Sequence, residues 1–465
     1  MKRFLFYFLP CFFFLSVNNL FAQEWELFGN EIIGEVGDDK CGYAVSISGN
    51  GLTMATSFPR RYISDASYGN VKVYTFDGTS WVQKGETITV SIDEDRFGEK
   101  IDLNVEGNRL AVSSYGSNAK VTVLEWDGSN WQQMGSKIDV YPYGNVKLSN
   151  DGTRLAIGER PFESSTGQIR VFSWNGSSWV QIGESVFDNQ ADDSGWLLGF
   201  NEAGDNFIST FGYIARCYQW NGVQWTVRGS LLHPFDVNGG VGISADGNRI
   251  SLSGYNAQGA DDNKGISQVY QWNNGDWESL GSPIEGETSQ ASLGGSSLSL
   301  SSNGDVLALG ASMYSYGSGR VYTYVFNGTQ WEQVGSYLGD GFAVGFFGYS
   351  ISLNETGNVI VIGAPTYLGA NYGYLGKTYV YRNDEFMSTE NLQPTSFRIY
   401  PNPTGGMLNI QTDKNISIIN IYDLNGRRVQ TETQPSFSVE HLLSGVYLMR
   451  VETQEGIETF RIVKE

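Results

Sequence analysis

The chain has 465 residues, is rich in glycine (58 residues) and aromatic residues (14%), and carries only 17% charged residues. This composition is typical of many short strands joined by turns, and it excludes a disordered chain, which would contain few aromatic residues. The net charge of −20, with no offsetting cluster of lysine and arginine, excludes nucleic-acid binding because phosphate groups would be repelled.

The first 22 residues have the pattern of a secretory signal peptide. Lys2 and Arg3 precede an apolar run at 4–17, and cleavage is expected after Ala22, which takes the net charge from −20 to −22. The run is short for a membrane span, which needs about 20 residues. No other segment is long enough, so we expect no transmembrane segment in the mature chain.

A ten-residue motif recurs along the chain. WDGSNWQQMG (126–135) has counterparts such as FDGTSWVQKG (76–85) and FNGTQWEQVG (326–335). Asp-Gly or Asn-Gly supplies the positive φ angles of a tight turn, so each motif is predicted to be a β-hairpin whose flanking aromatic residues pair across the strands. We interpret the tryptophans as packing residues between neighbouring modules rather than as a row of sugar-binding residues.

Each module is predicted to contain four strands. The glycine turn between the first and second strands occurs seven times at a mean spacing of about 51 residues, whereas the tryptophan that begins the fourth strand occurs six times, from Trp81 to Trp331. The segment WELFGNEII (25–33) supplies the missing fourth strand. Residues 23–386 are therefore predicted to form an all-β, seven-bladed β-propeller in which an N-terminal strand closes the last blade.

The segment FGYSISLNETGNVIVIGAP (347–365) resembles the FG-GAP repeat of integrin α-subunit propellers, and 299–312 and 147–159 resemble weaker copies. The resemblance covers about residues 24–386 and implies a seven-bladed ring and extracellular recognition. Calcium-binding copies in that family carry several Asp or Asn residues in the turn between strands one and two. Here each turn offers about one Asp, too few for the six to eight oxygens of a calcium ion. We expect no cofactor and no metal, and these turns do not support calcium.

A different pattern follows residue 386. Residues 387–396 are a polar linker, and residues 397–465 contain alternating strands that predict a small C-terminal β-sandwich. Four motifs, in order, closely resemble the type A C-terminal sorting domain of proteins exported by the type IX secretion system of Bacteroidetes. The matching residues include Tyr400, Pro401, Asn402, Pro403, Gly405, Gly445, Tyr447 and Lys464, together with IYDLNGR at 421–427.

This resemblance implies export through the inner membrane by the signal peptide and across the outer membrane by the type IX machinery, which would recognise residues 397–465. The sorting domain would then be removed, leaving the propeller secreted or attached to the outer cell surface. An adhesive immunoglobulin-like module is the alternative interpretation of the C-terminal domain.

Side chains for histidine or cysteine chemistry are scarce. His233 lies in the propeller and His441 in the C-terminal domain, and with no Ser or Cys constellation near His233 a histidine-dependent triad is excluded from the propeller. No His/Cys spacing fits a metal site. Cys41 and Cys217 are interpreted as small buried hydrophobic residues, with a disulfide between them as the less favoured alternative.

Long, variable connections are predicted after strands two and four, and they emerge on one face of the ring. Loops on a rigid scaffold commonly carry binding sites, and segments 58–68, 254–263, 312–319 and 365–376 have the Tyr, Gly, Ser and Asn content of adaptable recognition surfaces. The predicted ligand contacts are Tyr62, Tyr68, Tyr255, Tyr314, Tyr316, Tyr367, Tyr372 and Tyr374. In the alternative interpretation, several of them pack between loops.

We therefore predict a non-enzymatic binding or adhesion protein, with no catalytic residues, whose partner is an extracellular glycan or protein. One alternative is a polysaccharide hydrolase or lyase, because a pair of carboxylates is sufficient for glycoside hydrolysis. Its candidates all lie in polar runs: Asp93, Glu94, Asp95, Asp192, Asp193, Asp261 and Asp262. A sialidase is rejected because the repeated Asp-to-Trp spacing does not match. Another alternative is a structural surface component.

Overall fold

The computed structural model describes most of the chain after the predicted signal peptide. The described residues are 25–63, 66–90, 95–116, 118–141, 143–160, 167–187, 195, 197–256, 263–286, 292–295, 297–341, 344–368, 374–384, 397–400, 404–412, 415–423, 427–453 and 456–464, some of them by backbone alone. The predicted signal peptide and linker lie outside these residues. The chain divides into two compact units, Met1–Met387 and Ser388–Glu465.

The first unit is built from antiparallel sheets that follow one another along the chain, seven among the described residues. The N-terminal segment contributes β1 (Glu26–Leu27) and β2 (Ile32–Ile33). Sheet 1 contains β3 (Val45–Ile47), β4 (Thr53–Ile63), β5 (Ala66–Phe76), β6 (Trp81–Gln83) and β7 (Ile88–Thr89). Sheet 2 contains β8 (Asp95–Leu103), β9 (Arg109–Tyr115), β10 (Lys120–Trp126), β11 (Trp131–Gln133) and β12 (Ile138–Asp139). Sheet 3 contains β13 (Tyr143–Leu148), β14 (Arg154–Arg160), β15 (Gln168–Trp174) and β16 (Trp179–Gln181).

The remaining sheets of this unit repeat the same order. Sheet 4 contains β17 (Leu198–Phe200), β18 (Asn206–Phe211), β19 (Ile214–Trp220) and β20 (Trp225–Val227). Sheet 5 contains β21 (Gly240–Ile243), β22 (Arg249–Gly254), β23 (Ile266–Asn273), β24 (Asp276–Ser279) and β25 (Ile284–Glu285). Sheet 6 contains β26 (Ser297–Leu300), β27 (Val306–Gly310), β28 (Val321–Phe326) and β29 (Trp331–Gln333), with the helical turn α1 (Tyr314–Gly317) between β27 and β28. Sheet 7 contains β30 (Ser350–Leu353), β31 (Val359–Ala364) and β32 (Lys377–Arg382).

The sheets form a closed ring with their first strands innermost. Each first strand contacts the first strand of the next sheet, in the order β3, β8, β13, β17, β21, β26 and β30, and β30 contacts β3 again. The N-terminal segment completes sheet 7, because β1 and β2 both pair with β32, with Glu26 opposite Arg382 and Ile32 opposite Thr378. Joining the two ends of the unit in one sheet leaves no open seam in the ring.

Hydrogen bonds join the turns between first and second strands into a continuous belt around the ring axis. Six of the steps are backbone N–H···O=C bonds of 2.8–3.3 Å: Gly49 to Val105, Val105 to Asn150, Asn150 to Glu202, Ala245 to Ser302, Ser302 to Glu355 and Glu355 to Gly49. At the remaining step, the side-chain amide of Asn201 donates to the carbonyl of Ala245 at 3.2 Å. We refer to these seven linked turns as the turn belt.

The turns of the belt share one internal construction. A buried serine or asparagine immediately precedes each belt residue, and its side-chain oxygen accepts a hydrogen bond from the backbone N–H five residues later. These residues are Ser48, Asn104, Ser149, Asn201, Ser244, Ser301 and Asn354. Because the side chain satisfies a backbone donor at the start of the second strand, the turn is rigid and presents its next backbone N–H to the neighbouring sheet.

The repeated tryptophans connect the outer strands of neighbouring sheets. In each case the indole N–H donates to a backbone carbonyl that follows the outer strand of the preceding sheet. The pairs, at 2.7–3.2 Å, are Trp81 with Phe28, Trp131 with Lys84, Trp179 with Met134, Trp225 with Ile182, Trp277 with Arg228 and Trp331 with Leu280. The structure thus agrees with the interpretation of these tryptophans as packing residues between modules.

The contact between neighbouring sheets also requires the glycine at the end of the ten-residue motif. Gly85 has φ of +80°, and a Cβ there would lie 2.7 Å from the Trp126 ring of the next sheet. Gly135 has φ of +75° and would lie 2.7 Å from Trp174. Only glycine tolerates both the left-handed conformation and this close approach.

The outer strand differs from its prediction. The sequence WVQKGETI predicts one continuous strand from Trp81, but the structure contains two short strands, β6 and β7, that both pair with β5. The left-handed conformation of Gly85 interrupts the extended backbone between them. Sheets 2, 5 and 7 have the same interruption, since β12, β25 and β2 return to pair with the third strand of their sheets.

The second unit contains two antiparallel sheets. One contains β33 (Phe397–Tyr400), β34 (Met407–Thr412) and β37 (Ser436–Ser438), and the other contains β35 (Ile416–Tyr422), β36 (Arg428–Glu432), β38 (Gly445–Thr453) and β39 (Gly456–Lys464). Leu408 and Phe437 of the first sheet share one buried apolar cluster with Ile419 and Met449 of the second. The sheets therefore pack face to face, as in a β-sandwich.

We predict that Trp131→Phe lowers the free energy of unfolding by about 1–3 kcal/mol, because the Lys84 carbonyl loses its donor in a partly buried position. Trp126→Phe is the matched control. Its ring packs against Trp131 at 5.6 Å, and its indole N–H donates to no described residue. Chemical denaturation measures both variants, and equal losses in the two would show that the hydrogen bond contributes nothing.

The carboxylate of Asp127 in the turn of the hairpin makes the stability of that turn depend on pH. Its carboxylate accepts backbone hydrogen bonds from Asn130 and Ser129, each at 2.8 Å, and these hold its pKa at about 2, below the usual 3.8. Because the pKa is lowered by folding, the ionised carboxylate stabilises the hairpin above pH 4, and the stabilisation is lost as the pH falls towards 2. NMR titration of the side chain should give a midpoint near 2, and a midpoint near 4 would contradict this.

Asp127→Asn is the control, since Asn175 makes the equivalent bonds in the corresponding turn of sheet 3. At pH 7 this variant should unfold at the wild-type temperature, and it should lose the pH dependence that this turn contributes. Asp127→Ala removes the acceptor altogether and should unfold at a lower temperature than either.

Candidate functional site

The innermost strands of the ring enclose a cavity of about 500 Å³. All seven sheets contribute to its wall, so it lies on the ring axis. Its size falls within the range of about 300–1,000 Å³ that is typical of small-ligand pockets. We refer to it as the central cavity.

The turn belt lies at one end of the innermost strands that enclose the central cavity. None of the belt residues lines the cavity, and the carboxylate of Glu202 joins two sides of the belt by accepting hydrogen bonds from Asn150 (3.0 Å) and from Ser302 (2.5 Å). At the other end the wall includes residues of the connections after second and fourth strands, such as Tyr255 and Phe346. The cavity therefore opens on the face that carries the long connections.

A row of side chains from three neighbouring sheets lines part of this opening. The rings of Tyr349 and Tyr43 lie 5.1 Å apart, and the Tyr43 hydroxyl donates to Glu99 Oε1 at 3.0 Å. Burial, reinforced by the Glu99 carboxylate, raises the pKa of Tyr43 well above its usual range, so Tyr43 remains a neutral donor. The other Glu99 oxygen, Oε2, is buried and has no hydrogen-bond partner among the described residues.

Local backbone geometry positions this row. Tyr43, Glu99 and Tyr349 each follow a glycine in the left-handed region, with φ of +82° at Gly42, +93° at Gly98 and +85° at Gly348. A buried apolar residue precedes each glycine, and the residue before that one also has positive φ. The three segments, CGYAVSIS (41–48), FGEKIDLN (97–104) and FGYSISLN (347–354), are in register, so one repeat position supplies all three side chains.

Basic side chains lie on one side of the central cavity. Lys100 of β8 and Lys147 of β13 line it, and Lys147 forms an ion pair with Asp102 at 2.8 Å. The Lys100 ammonium makes no ion pair among the described residues. The Lys100 side chain is exposed within the cavity, and partial desolvation by the surrounding strands lowers its pKa; Glu99 opposes this shift and Lys147 adds to it. Arg96 also lines the cavity, with its guanidinium 4.3 Å from the Tyr115 ring.

Of the tyrosines predicted as ligand contacts, Tyr255 lines the central cavity. Its backbone N–H donates to Asn238, and a Cβ on Gly295 would lie 2.6 Å from its ring, so the ring packs directly on that glycine. Burial raises the pKa of Tyr255, which keeps its hydroxyl protonated.

The other predicted tyrosines have different environments. Tyr314 and Tyr367 are half-buried and pack against cations, with Arg320 3.8 Å and Lys377 4.0 Å from the respective ring centres. Tyr316 is 92% exposed and Tyr374 is 43% exposed. Tyr372 lies outside the described residues. Tyr62 and Tyr68 are described by backbone alone.

The segment 58–68 is not the loop that the sequence predicts. Strands β4 and β5 continue through it as a hairpin, with Arg61 opposite Tyr68 and Ile63 opposite Ala66. A register shift after Phe58 separates this extension from the rest of the sheet, and its aromatic and β-branched residues favour extended structure. Both strands contact β8, which carries Glu99 and Lys100.

The alternative catalytic carboxylates are not placed by the structure. Asp93, Glu94, Asp192, Asp193, Asp261 and Asp262 lie outside the described residues, and Asp95 is described by backbone alone. Within the described ranges, no group of three or more His, Cys, Asp or Glu side chains could hold a metal ion. Cys41 and Cys217 are buried and free, and burial raises the pKa of Cys41 to about 12.

Several sorting-motif residues meet in the second unit. Gly445 pairs with Lys464 across β38 and β39, and Lys464 also bridges to Thr404. The Tyr447 hydroxyl donates to the Leu443 carbonyl at 2.8 Å, and Gly405 has open space around it. Tyr400 is described by backbone alone, and residues 401–403 (Pro401, Asn402 and Pro403) lie outside the described residues.

Comparison with known proteins identifies the second unit. Residues 398–465 match the model of the secretion system C-terminal sorting domain. Among solved structures, a chain of hydrazine synthase from Kuenenia stuttgartiensis is similar, with a TM-score of 0.51 and 12% identity over 72% of this chain and 95% of that one. Its fold is β-rich and propeller-like, and at this identity the similarity concerns the fold alone. No curated protein matches the chain.

The match at 398–465 confirms the predicted sorting domain and shows that the protein is exported and then secreted or attached to the cell surface. It also implies contact with the type IX secretion machinery. In the part of the chain that the structure describes, no helix is long and apolar enough to cross a membrane.

Proposed function

We propose that this chain is an exported, non-enzymatic recognition protein, a seven-bladed β-propeller that binds an extracellular glycan or protein in its central cavity. The observation that carries the proposal is the cavity itself. It opens among long connections, and aromatic rings converge there with a small number of polar and charged side chains. That combination is typical of ligand pockets.

The scaffold supports the same proposal. The turn belt and the tryptophan bonds hold every sheet to its neighbours, so the side chains around the cavity have fixed positions before a ligand arrives. A preorganised site loses less conformational entropy on binding. The resemblance of the repeats to FG-GAP modules also favours extracellular recognition, although a fold does not determine a function.

The test uses the full exported protein on an array of glycans and extracellular proteins, with Tyr255→Ala as the variant. Removing an aromatic side chain at a binding hot spot costs about 2 kcal/mol or more, so the affinity should fall by more than about tenfold. Gly295→Ala should weaken binding too, because the added methyl group displaces the Tyr255 ring.

Tyr213→Ala is the matched control, since Tyr213 is 55% exposed on the connection between β18 and β19 and does not line the cavity. It should bind as the wild type does. If Tyr213→Ala and Tyr255→Ala behave alike, the cavity is not the binding site. If the array shows no ligand and the protein degrades a polysaccharide, the proposal of a non-enzymatic role is wrong.

A further inference from the structure

The geometry points to an acidic saccharide as the ligand of the central cavity, with the carboxylate of a uronate residue on Lys100 and sugar rings against Tyr43 and Tyr255. This inference rests on the proposed function, since it names the ligand class of the same cavity. It is carried by the charge and the wall chemistry of that cavity and by the turn belt at one end of it.

The charge of the cavity wall is the first argument for an acidic ligand. The chain has a net charge of −20, yet the central cavity is lined by three basic residues, Arg96, Lys100 and Lys147, against one acidic residue, Glu99. Asp102 neutralises Lys147, whereas the Lys100 ammonium lacks an ion-pair partner among the described residues. The Lys100 side chain is exposed within the cavity, and a charge pair near a protein surface attracts more strongly than one in bulk water. A ligand carboxylate would complete this site.

The wall supplies hydrogen-bonding groups for a polyhydroxylated molecule. Ser297, Ser350, Asn145 and Asn238 line the cavity, together with Tyr43 and Tyr255. The hydroxyls of Ser297 and Ser350 donate to the carbonyls of Gly348 and Gly42 at 2.7 and 2.8 Å, so their oxygens remain as acceptors for sugar hydroxyls. The apolar faces of sugar rings suit tyrosine rings, which combine an apolar surface with a polar tip.

Glu99 provides a specific acceptor for a sugar hydroxyl. The residue is 5% exposed, and Oε1 is occupied by the Tyr43 hydroxyl, but Oε2 has no hydrogen-bond partner among the described residues. Leaving a buried carboxylate oxygen without a donor is unfavourable. A hydroxyl that enters beside Tyr43 would satisfy it.

The turn belt determines which part of the saccharide enters. The turn belt, with the hydrogen bonds from Asn150 and Ser302 to Glu202, surrounds the axis at the end opposite the opening, and we expect it to stop a polymer from passing through. A cavity of about 500 Å³ that a polymer cannot pass through accepts a chain end rather than an internal stretch of polymer. We therefore expect short oligouronates to bind as well as long polymers.

The experiment is isothermal titration calorimetry of the full exported protein with tetrasaccharides of galacturonate, glucuronate and mannuronate, and with their uncharged methyl esters. Lys100→Ala should weaken binding by about 10–100-fold, the expected effect of losing a hydrogen bond to a charged group. Lys100→Arg should retain most of the affinity because the cation remains. The esters should bind the wild-type protein as weakly as the acids bind Lys100→Ala.

Lys137→Ala is the control, since it removes the same charge from the outer part of sheet 2, away from the cavity wall. It should bind like the wild type, and thermal unfolding should show all variants folded. If acids and esters bind equally, or neutral glycans bind and no uronate does, the acidic-saccharide inference is wrong and the proposed function stands. If acidic peptides bind through Lys100 instead, the saccharide class is wrong. If no glycan or protein binds at all, the proposed function itself fails.

Discussion

Hydrogen bonding between neighbouring sheets is the constraint on which the structure of the first unit depends. The turn belt links the sheets near the axis, and the tryptophan N–H groups link them near the outer edge. Two rows of bonds at different radii determine the angle between adjacent sheets, so the same angle recurs until the ring closes. The central cavity exists because the first strands are held around the axis without filling it.

The seam that joins the two ends of the unit uses a modified version of this interaction. Trp25 stands where the other sheets have their repeated tryptophan, but its N–H donates to the Thr323 hydroxyl at 2.9 Å, and that hydroxyl donates to the Val334 carbonyl at 3.3 Å. The residues equivalent to Thr323 in sheets 1 to 5 are Val73, Val123, Val171, Cys217 and Val269. Thr323 thus connects the indole N–H of Trp25 in sheet 7 to the Val334 carbonyl in sheet 6. Cys217 occupies a position that holds valine in four other sheets, as expected of a small hydrophobic residue.

The repeats were predictable because their determinants are local. A tight hairpin needs Asp-Gly or Asn-Gly whatever surrounds it, and counting tryptophans indicated that 25–33 completes the last sheet. The cavity was harder to predict, because its residues meet only after ring closure. Aligning Tyr43, Glu99 and Tyr349 reveals a shared repeat position, but not that it faces the axis. The sequence could not show that Tyr314 packs against Arg320 and Tyr367 against Lys377. The prediction of these two tyrosines as ligand contacts therefore overestimated how exposed their rings are.

The chain is acidic, yet the Lys100 ammonium in its cavity has no ion-pair partner among the described residues, and this contrast has consequences for selectivity. Exposed charges act over a Debye length of about 8 Å at physiological ionic strength, and a polyanion lying along the outer surface would be repelled over much of its length. A carboxylate inside the cavity would lie close to Lys100, at a protein surface where attraction is stronger than in bulk water. The same charge distribution that disfavours surface adsorption therefore favours insertion of one anionic chain end, and the turn belt limits how far that end can enter.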